Sequence, residues 1–346
     1  MSLNIFCKPR LLINDIEVAS CESAQFSKSM NSLETLNAVI TEPDFDNYNL
    51  FNEKVEFYLN YGSEDSVPLF RGYIKSFNAS ESNISISAVD GRTFLSGNDA
   101  LPVIIDEKNN YDGRTVVQFL IDILTNQLNL NKTVISPDYL NEMDKPIYMN
   151  DVRSDTPAYD IVSNMIEERR DDDNILTVFE YFFDMIHDGE NSGLIIKKTK
   201  SLDETPDFIF TYRDGIVELS YTERAPPSFA LAKVEDGTTV RAEYGNAPKG
   251  QVGLTIPGVY SSRAEAKEAA LAEILLKSLD DKDINLQTSK GHYIDLGHII
   301  RLDVPDSNIY GQYRISSKKI NYSKNNASCQ FTLNKKPVRM KDYLPF

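Results

Sequence analysis

Apolar and polar residues alternate with a two-residue period in Leu11 to Val18, Ser32 to Thr41, Lys54 to Tyr61, Leu69 to Phe77 and Asn83 to Val89. Successive side chains along a strand point to opposite faces, so Ile84, Ile86 and Ala88 share one buried side. Polar segments containing Gly or Asn separate these runs, at Pro43 to Asn49, Gly62 to Ser66 and Asn78 to Ser82. Such punctuation suits antiparallel connections. Five strands so close together predict a small barrel or sandwich, whose closure protects its edges from stray pairing.

After Asp112 the period changes. Val116, Val117, Leu120, Ile123, Leu124 and Leu128 recur at three- and four-residue spacing and predict an amphipathic helix. A second helix is predicted from Thr156-Pro157, where Thr caps free amides and Pro suits the first turn. Its stripe is Ala158, Ile161, Val162, Met165 and Ile166, and it ends in the solvated run Glu167 to Asp173. An aromatic strand from Leu176 to Ile186, a turn from His187 to Gly193 and a strand from Leu194 to Lys198 read as a hairpin.

The last third returns to strands at Gly215 to Thr222, Thr239 to Tyr244, Ile299 to Val304, Gly311 to Asn321 and Ser328 to Leu333. One helix interrupts them, opened by the capping-box spacing of Ser262 and Glu265 and continued through the helix formers of Ala266 to Leu279. Tyr313 to Tyr322 and Ala327 to Leu333 flank Ser323 to Asn326 as a hairpin. No short repeat of solenoid type occurs. The expected fold is α+β and predominantly antiparallel β, with two small β-barrel domains flanking a helical α/β middle. Residues 1–100 form the first barrel, 101–212 the middle domain and 213–346 the second barrel, with a helix inserted at about 262–280.

A chain of 346 residues exceeds one ordinary core, in keeping with that division. Its 41% hydrophobic and 25% charged residues are the balance of a globular protein. The 52 acidic against 36 basic side chains give a net charge of -16, which disfavours sequence-specific nucleic-acid binding. Cys7, Cys21 and Cys329 are odd in number and show no CxxC spacing, so neither a disulfide framework nor a zinc knuckle is expected. Met1 to Arg10 lacks the apolar core of a signal peptide, which makes Asn-x-Ser/Thr triplets such as Asn83 to Ser85 chance occurrences. No apolar run reaches the ~20 residues of a membrane helix. No membrane insertion is expected.

Candidate chemistry is sparse. Gly245 to Gly253 is the densest glycine region, but it holds Pro248 and no Gly-Lys-Ser/Thr, and reads as a loop. His292, Asp295 and His298 form a spacing that could supply three metal ligands, yet alternation along a strand would turn Asp295 away from both histidines. No Gly-x-Ser-x-Gly elbow is present, and Asp171 to Asn174 lacks the glycine and terminal Glu of a calcium loop. With 52 carboxylates, any chosen catalytic pair is uninformative. The 35 Tyr and Phe residues are interleaved with acidic rather than basic side chains, so they suit cores and subunit contacts better than base stacking. No catalytic, cofactor-binding or metal residue is identified, no cofactor is expected, and the chain reads as a non-enzyme.

The sequence resembles the hub proteins of contractile phage tails and related injection machines, the family that includes the late control protein D type and the hub half of type VI secretion spikes. The resemblance runs through Lys54 to Gly62, Leu69-Phe-Arg-Gly-Tyr-Ile74 and Ile84 to Leu95, ending Asp90-Gly-Arg-Thr-Phe-Leu95. It continues in the helices at Asp112 to Leu120 and Thr156 to Ile166, the strand Phe210 to Leu219 and the closing hairpin, and covers Arg10 to Lys336 by order and spacing. It implies a homotrimer in which two barrels per subunit build a pseudo-sixfold ring, joining a hexameric tail tube protein to a trimeric central spike protein. Baseplate wedge and tape-measure proteins are further implied partners, DNA is implied only as passing cargo, and the implied location is the virion tail baseplate, assembled in the host cytoplasm. Acidic side chains are expected to line the channel. Two other roles compete: a tail-tip module recognising a host glycan or protein through loops such as Pro43 to Phe51, and a cell-wall hydrolase.

Overall fold

The opening strands follow the alternation read from the sequence. In the computed structural model they are β1 (Lys8–Ile13), β2 (Ile16–Glu17), β3 (Cys21–Ser29), β4 (Thr35–Thr41), β5 (Lys54–Asn60), β6 (Phe70–Ala79) and β7 (Asn83–Asp90). The structure describes residues 7–18, 20–30, 32–41, 50–60, 67–80, 82–94, 114–122, 132–135, 181–188, 191–198, 200–211, 216–223, 227–243, 253–278, 282–289, 291–304, 309–323 and 326–334. The predicted helix at Thr156 to Ile166, the acidic run after it, and the loops Pro43 to Asn49 and Gly245 to Val252 lie outside the described residues.

The predicted strand Leu11 to Val18 is two strands, because Asn14 and Asp15 take φ of 50° and 64° and fold β2 back on β1. Asn and Asp tolerate this left-handed region better than other non-glycine residues. The strand β3 carries no strong apolar signal. Its inward positions are Ala24, Phe26 and Lys28, and its outward ones are Ser23, Gln25 and Ser27, so the period is present but a lysine occupies a core position.

Further along come α1 (Val116–Ile121), β8 (Lys132–Ile135), β9 (Tyr181–Asp188), β10 (Asn191–Lys198), β11 (Phe208–Thr211), β12 (Ile216–Glu223), β13 (Phe229–Val234), β14 (Thr239–Glu243) and β15 (Gly253–Tyr260). The chain closes with α2 (Arg263–Ser278), β16 (Lys282–Thr288), β17 (Ile299–Val304), β18 (Ile309–Ser323) and β19 (Asn326–Asn334). Thr115 and Gln118 form a capping box at α1, and Phe119, which the predicted stripe omits, is fully buried. At α2 the capping is shifted by one residue. Ser262 Oγ accepts from the Glu265 amide at 3.2 Å, while the Glu265 carboxylate accepts from Ser261 rather than Ser262. The hairpin turn is shorter than predicted, since Asp188 pairs with Asn191.

The architecture is predominantly antiparallel β. One sheet runs in the order β12-β16-β19-β18-β3-β4-β7-β6-β5-β1-β2, and β17 joins β18 to β11 beside it. The 15-residue β18 carries this continuity: Ile309 to Arg314 pair with β17, whereas Ser317 to Ser323 pair with β19 on one edge and β3 on the other. The described strands of the N-terminal and C-terminal regions thus share one sheet and one hydrophobic cluster, in which Leu11, Phe26, Phe57 and Phe70 meet Phe210, Leu286, Ile300 and Phe331. Burial of each such side chain contributes about 1.5–3 kcal/mol.

Two smaller sheets stand apart. In one, β10 pairs in parallel with β8 and antiparallel with β9. The other, β14-β13-β15, lies in sequence between the paired strands β12 and β16 and packs Ala230, Ala232 and Ile256 against Ala266, Ala270 and Ile274 of α2. The segment inserted there is a helix together with three strands, each too short or too weakly patterned to stand out except β14. Among the described residues no helix is long and apolar enough to cross a membrane.

Gly72 offers a test of the close approach between β6 and β7. A Cβ at this position would overlap the Val89 carbonyl and the Phe70 ring. Gly72→Ala is expected to destabilise the protein by about 1–3 kcal/mol, seen as a lowered midpoint in denaturant unfolding.

Candidate functional site

The register between β3 and β18 places Lys28 opposite Lys318. Both side chains point into the interior, 8% and 5% exposed. Like charges directly opposite on one face repel, and a buried ammonium must be paired. Three carboxylates answer Lys28: Asp184 of β9 at 2.6 Å, Asp295 at 3.3 Å and Glu34 at 3.4 Å. Lys318 Nζ donates to the His292 carbonyl at 2.7 Å.

The network extends outward from this pair. Asp184 also meets Lys197 of β10 at 2.8 Å, and His187 Nε2 lies 3.3 Å from Glu34. Asp90, at the end of β7, accepts from the Glu34 amide at 2.6 Å and binds Arg92 at 2.6 Å. Lys28, Arg92, Lys197 and Lys318 balance Glu34, Asp90, Asp184 and Asp295 in formal charge. Strands from both ends of the chain, and the β9–β10 hairpin, meet at this one cluster.

Burial by itself would lower the Lys28 pKa, but Asp184, Glu34 and Asp295 outweigh it and hold the ammonium above its ordinary value. Burial likewise works against the Asp184 and Asp295 carboxylates, and for each the neighbouring lysines, Lys28 foremost, prevail and keep it below the ordinary carboxylate value. Lys318 goes the other way, because desolvation dominates and Lys28 adds repulsion. Such a cluster contributes little net stability, yet removal of one partner is costly.

The sequence spacing His292, Asp295 and His298 falls on a loop, not a strand, so the alternation argument does not apply. What separates the three is their engagement: the Asp295 carboxylate reaches Lys28, and His298 Nδ1 accepts from the Asp295 amide at 3.0 Å. Among the described residues no group of His, Cys, Asp and Glu is placed to hold a metal ion. Cys7, Cys21 and Cys329 form no disulfide, and burial pushes the thiols of Cys21 and Cys329 up to about 11.

The outward face of the same sheet carries a second pattern that no single strand reveals. Cross-strand registers align Gln287, Gln330, Lys319, Ser27 and Thr35 in one row. The next row holds Asn321, Gln25, Asn37, Ser87 and Ser76. Gln25 Nε2 donates to Asn321 Oδ1 at 2.9 Å across the seam. Apart from Lys319 these positions carry neutral polar side chains, in a chain of which a quarter is charged, and past Thr35 the first row continues to Val89 and Tyr73. A shallow groove of about 680 Å³ lies along this stretch.

Lys28→Met leaves Asp184 and Glu34 buried without their main counter-ion, and is expected to destabilise the fold by about 3–5 kcal/mol in chemical denaturation. The acid dependence follows from the lowered Asp184 and Asp295 values. Their contribution is complete above the ordinary carboxylate pKa near 4 and is lost as pH falls through the folded values below it. Melting temperature should therefore fall most steeply below about pH 4, and Asp184→Asn should flatten that fall.

No protein-family model matches the sequence, and no curated protein matches it. Solved structures do. A tail protein from Neisseria meningitidis MC58 aligns with a TM-score of 0.68 at 12% identity, covering 98% of this chain and 99% of that one. The 43 kDa tail protein of prophage MuSo2 from Shewanella oneidensis gives 0.65 at 11% identity, covering 96% and 98%. The E. coli c3393 protein, described as a component of the type VI secretion system with structural similarity to the T4 tail proteins gp27 and gp5, gives 0.59 at 11% identity, covering 95% and 77%. With one sheet spanning both ends of the chain and alignment over nearly its whole length, the chain has the fold of these tail and type VI secretion proteins.

Proposed function

We propose that the chain is a structural baseplate hub of a contractile tail. Three copies form a ring in which the two β-rich regions of each subunit, residues 1–100 and 213–346, act as successive barrel-like units around residues 101–212. Three chains with two equivalents each present six docking faces to a hexameric tail tube protein and a threefold face to a central spike protein. Wedge and tape-measure proteins are further partners, and the site of action is the virion tail baseplate. Wall digestion belongs to other components.

The observation that carries this proposal is the seam between β3 and β18. A symmetry adaptor needs its two equivalent units held at a fixed angle, and a continuous hydrogen-bonded sheet with a shared core supplies that rigidity. Full-length similarity to tail proteins supports it at the level of fold.

Two surfaces acquire roles in such a ring. The neutral Ser, Thr, Asn and Gln face is assigned to the central passage, in place of the acidic lining expected from net charge. Short uncharged side chains exert no net charge attraction or repulsion on a passing polyanion such as DNA. The edge strand β12 bears Val217 and Tyr221, and β2 at the opposite end of the sheet bears Ile16, all exposed. Open edges with apolar side chains are suited to subunit contacts.

Light scattering of the chain alone is expected to give three times its 39.1 kDa mass, and a larger mass once tube and spike proteins bind. Val217→Lys combined with Tyr221→Lys should shift the protein to monomer while its strand content by circular dichroism stays unchanged. A chain that stays monomeric in assembled particles would overturn the proposal.

A further inference from the structure

Two sets of strands follow one plan. The strands β3, β4, β5, β6 and β7 lie side by side in the order β3-β4-β7-β6-β5, and β12, β16, β17, β18 and β19 in the order β12-β16-β19-β18-β17. Aligned on this plan, their irregularities coincide. An extra residue bulges between Ile74 and Ser76 in β6 and between Ile315 and Ser317 in β18. The same occurs between Cys21 and Ser23 in β3 and between Ile216 and Glu218 in β12. Ile74 accepts from the Asn52 amide at 2.8 Å and donates to the Glu53 carbonyl at 3.0 Å, while Ile315 accepts from the Gly297 amide at 3.2 Å and donates to the His298 carbonyl at 3.1 Å. Asn52 and Gly297 both take positive φ, 60° and 79°. Bulges are specific local features, and two of them with a left-handed residue in matching places make these two sets of strands versions of one unit.

The seam between the units is made once. The edge of β18 that β17 leaves at Arg314 is taken over by β3 from Ser317 to Ser323. The corresponding edge of β6, which β5 leaves at Tyr73, has no such neighbour: among the described residues Ser76 to Ala79 pair with β7 alone. The counterpart of β3 is β12, which among the described residues pairs with β16 alone. Each chain therefore presents the two halves of a second seam, one on each unit. Both are marked by aromatic side chains that are exposed where their counterparts are buried. Tyr221 is 47% exposed and its counterpart Phe26 is 2% exposed. Phe51, whose ring lies 5.5 Å from that of Phe77 on β6, is 54% exposed against 4% for its counterpart Leu296.

We propose that β12 of one copy pairs antiparallel with the Ser76 to Ala79 stretch of β6 in a second copy, repeating between chains the seam that β3 and β18 make within one. The internal seam fixes the register. Lys318 with Lys28, Lys319 with Ser27, Ile320 with Phe26 and Asn321 with Gln25 translate into Phe77 with Glu223, Asn78 with Thr222, Ala79 with Tyr221 and Ser80 with Ser220. Tyr221 then covers Ala79 and the Phe77–Phe51 pair on the inner face, while Asn78, Ser80, Ser220 and Thr222 extend the neutral polar face on the outer one. The contact is head-to-tail, and a head-to-tail contact builds a ring when its rotation closes. Only the closure at three copies rests on the hub reading; the choice of edges and the register follow from the repeat.

Disulfide trapping on the full chain tests it. Facing residues of antiparallel strands are within disulfide reach. Chains carrying Asn78→Cys, mixed with chains carrying Thr222→Cys and oxidised with diamide, should shift to a band of twice the chain mass on non-reducing denaturing electrophoresis, above the baseline of the unmodified protein. Replacing Thr222→Cys by Glu218→Cys moves the thiol four residues along β12, roughly 13 Å, and should abolish the band. All three positions are exposed, so the substitutions spare the core. Equal linking through Glu218→Cys would overturn the register. No linking in a protein that scatters light as a trimer would overturn the edge pairing and leave the hub ring standing. Linking in a ring of another size would uphold the pairing and overturn the three-chain hub, and a monomer would overturn both.

Discussion

Everything in this molecule depends on one strand pairing, β3 against β18, which joins residues almost three hundred positions apart. Seven residue pairs, from Ser317 with Ser29 to Ser323 with Ser23, merge what would be two separate sheets. The same register sets Lys28 against Lys318 inside the protein. That unfavourable meeting dictates what surrounds it: the carboxylates of Asp184, Asp295 and Glu34 have to converge from three other segments, and through them the hairpin and the 291–298 loop are located.

The ion cluster also specifies the register. Side chains alternate along a strand, so a slip of β3 by one residue against β18 would carry Lys28 to the outer face and bring Ser27 and Gln25 into the core. Their amide and hydroxyl groups would find no partners there, whereas in the native register they face outward and Gln25 bonds Asn321. Apolar residues alone discriminate less sharply between neighbouring registers. The buried charges trade net stability for a single arrangement of the two halves, which is the property that a symmetry adaptor would require of each subunit.

The shared sheet is held by main-chain hydrogen bonds and a large apolar cluster that draws on both ends of the chain. The β9–β10 hairpin is joined to β8 by a parallel ladder and reaches the body through Asp184 and His187. In the proposed hub, the shared sheet would keep the ring geometry constant.

Local periodicity was enough to find most of the long strands, the helix after Ser262 and the closing hairpin, because each buries one face and its apolar residues recur at that face's spacing. The β-rich character and the resemblance to tail hub proteins were legible for the same reason. Phe119 escaped the predicted stripe, and β3 escaped altogether, since a lysine in a core position breaks the apolar pattern by which strands are recognised. Nothing local marks Lys28 as buried or Asp184 as its partner, nor does any single strand show that its Ser, Asn and Gln residues will align with those of its neighbours. Those facts depend on register between distant segments. The sequence by itself determined which segments become strands and which faces they bury; only the tertiary structure decided that β18 would join β3, because that pairing is set by interactions summed across the whole sheet.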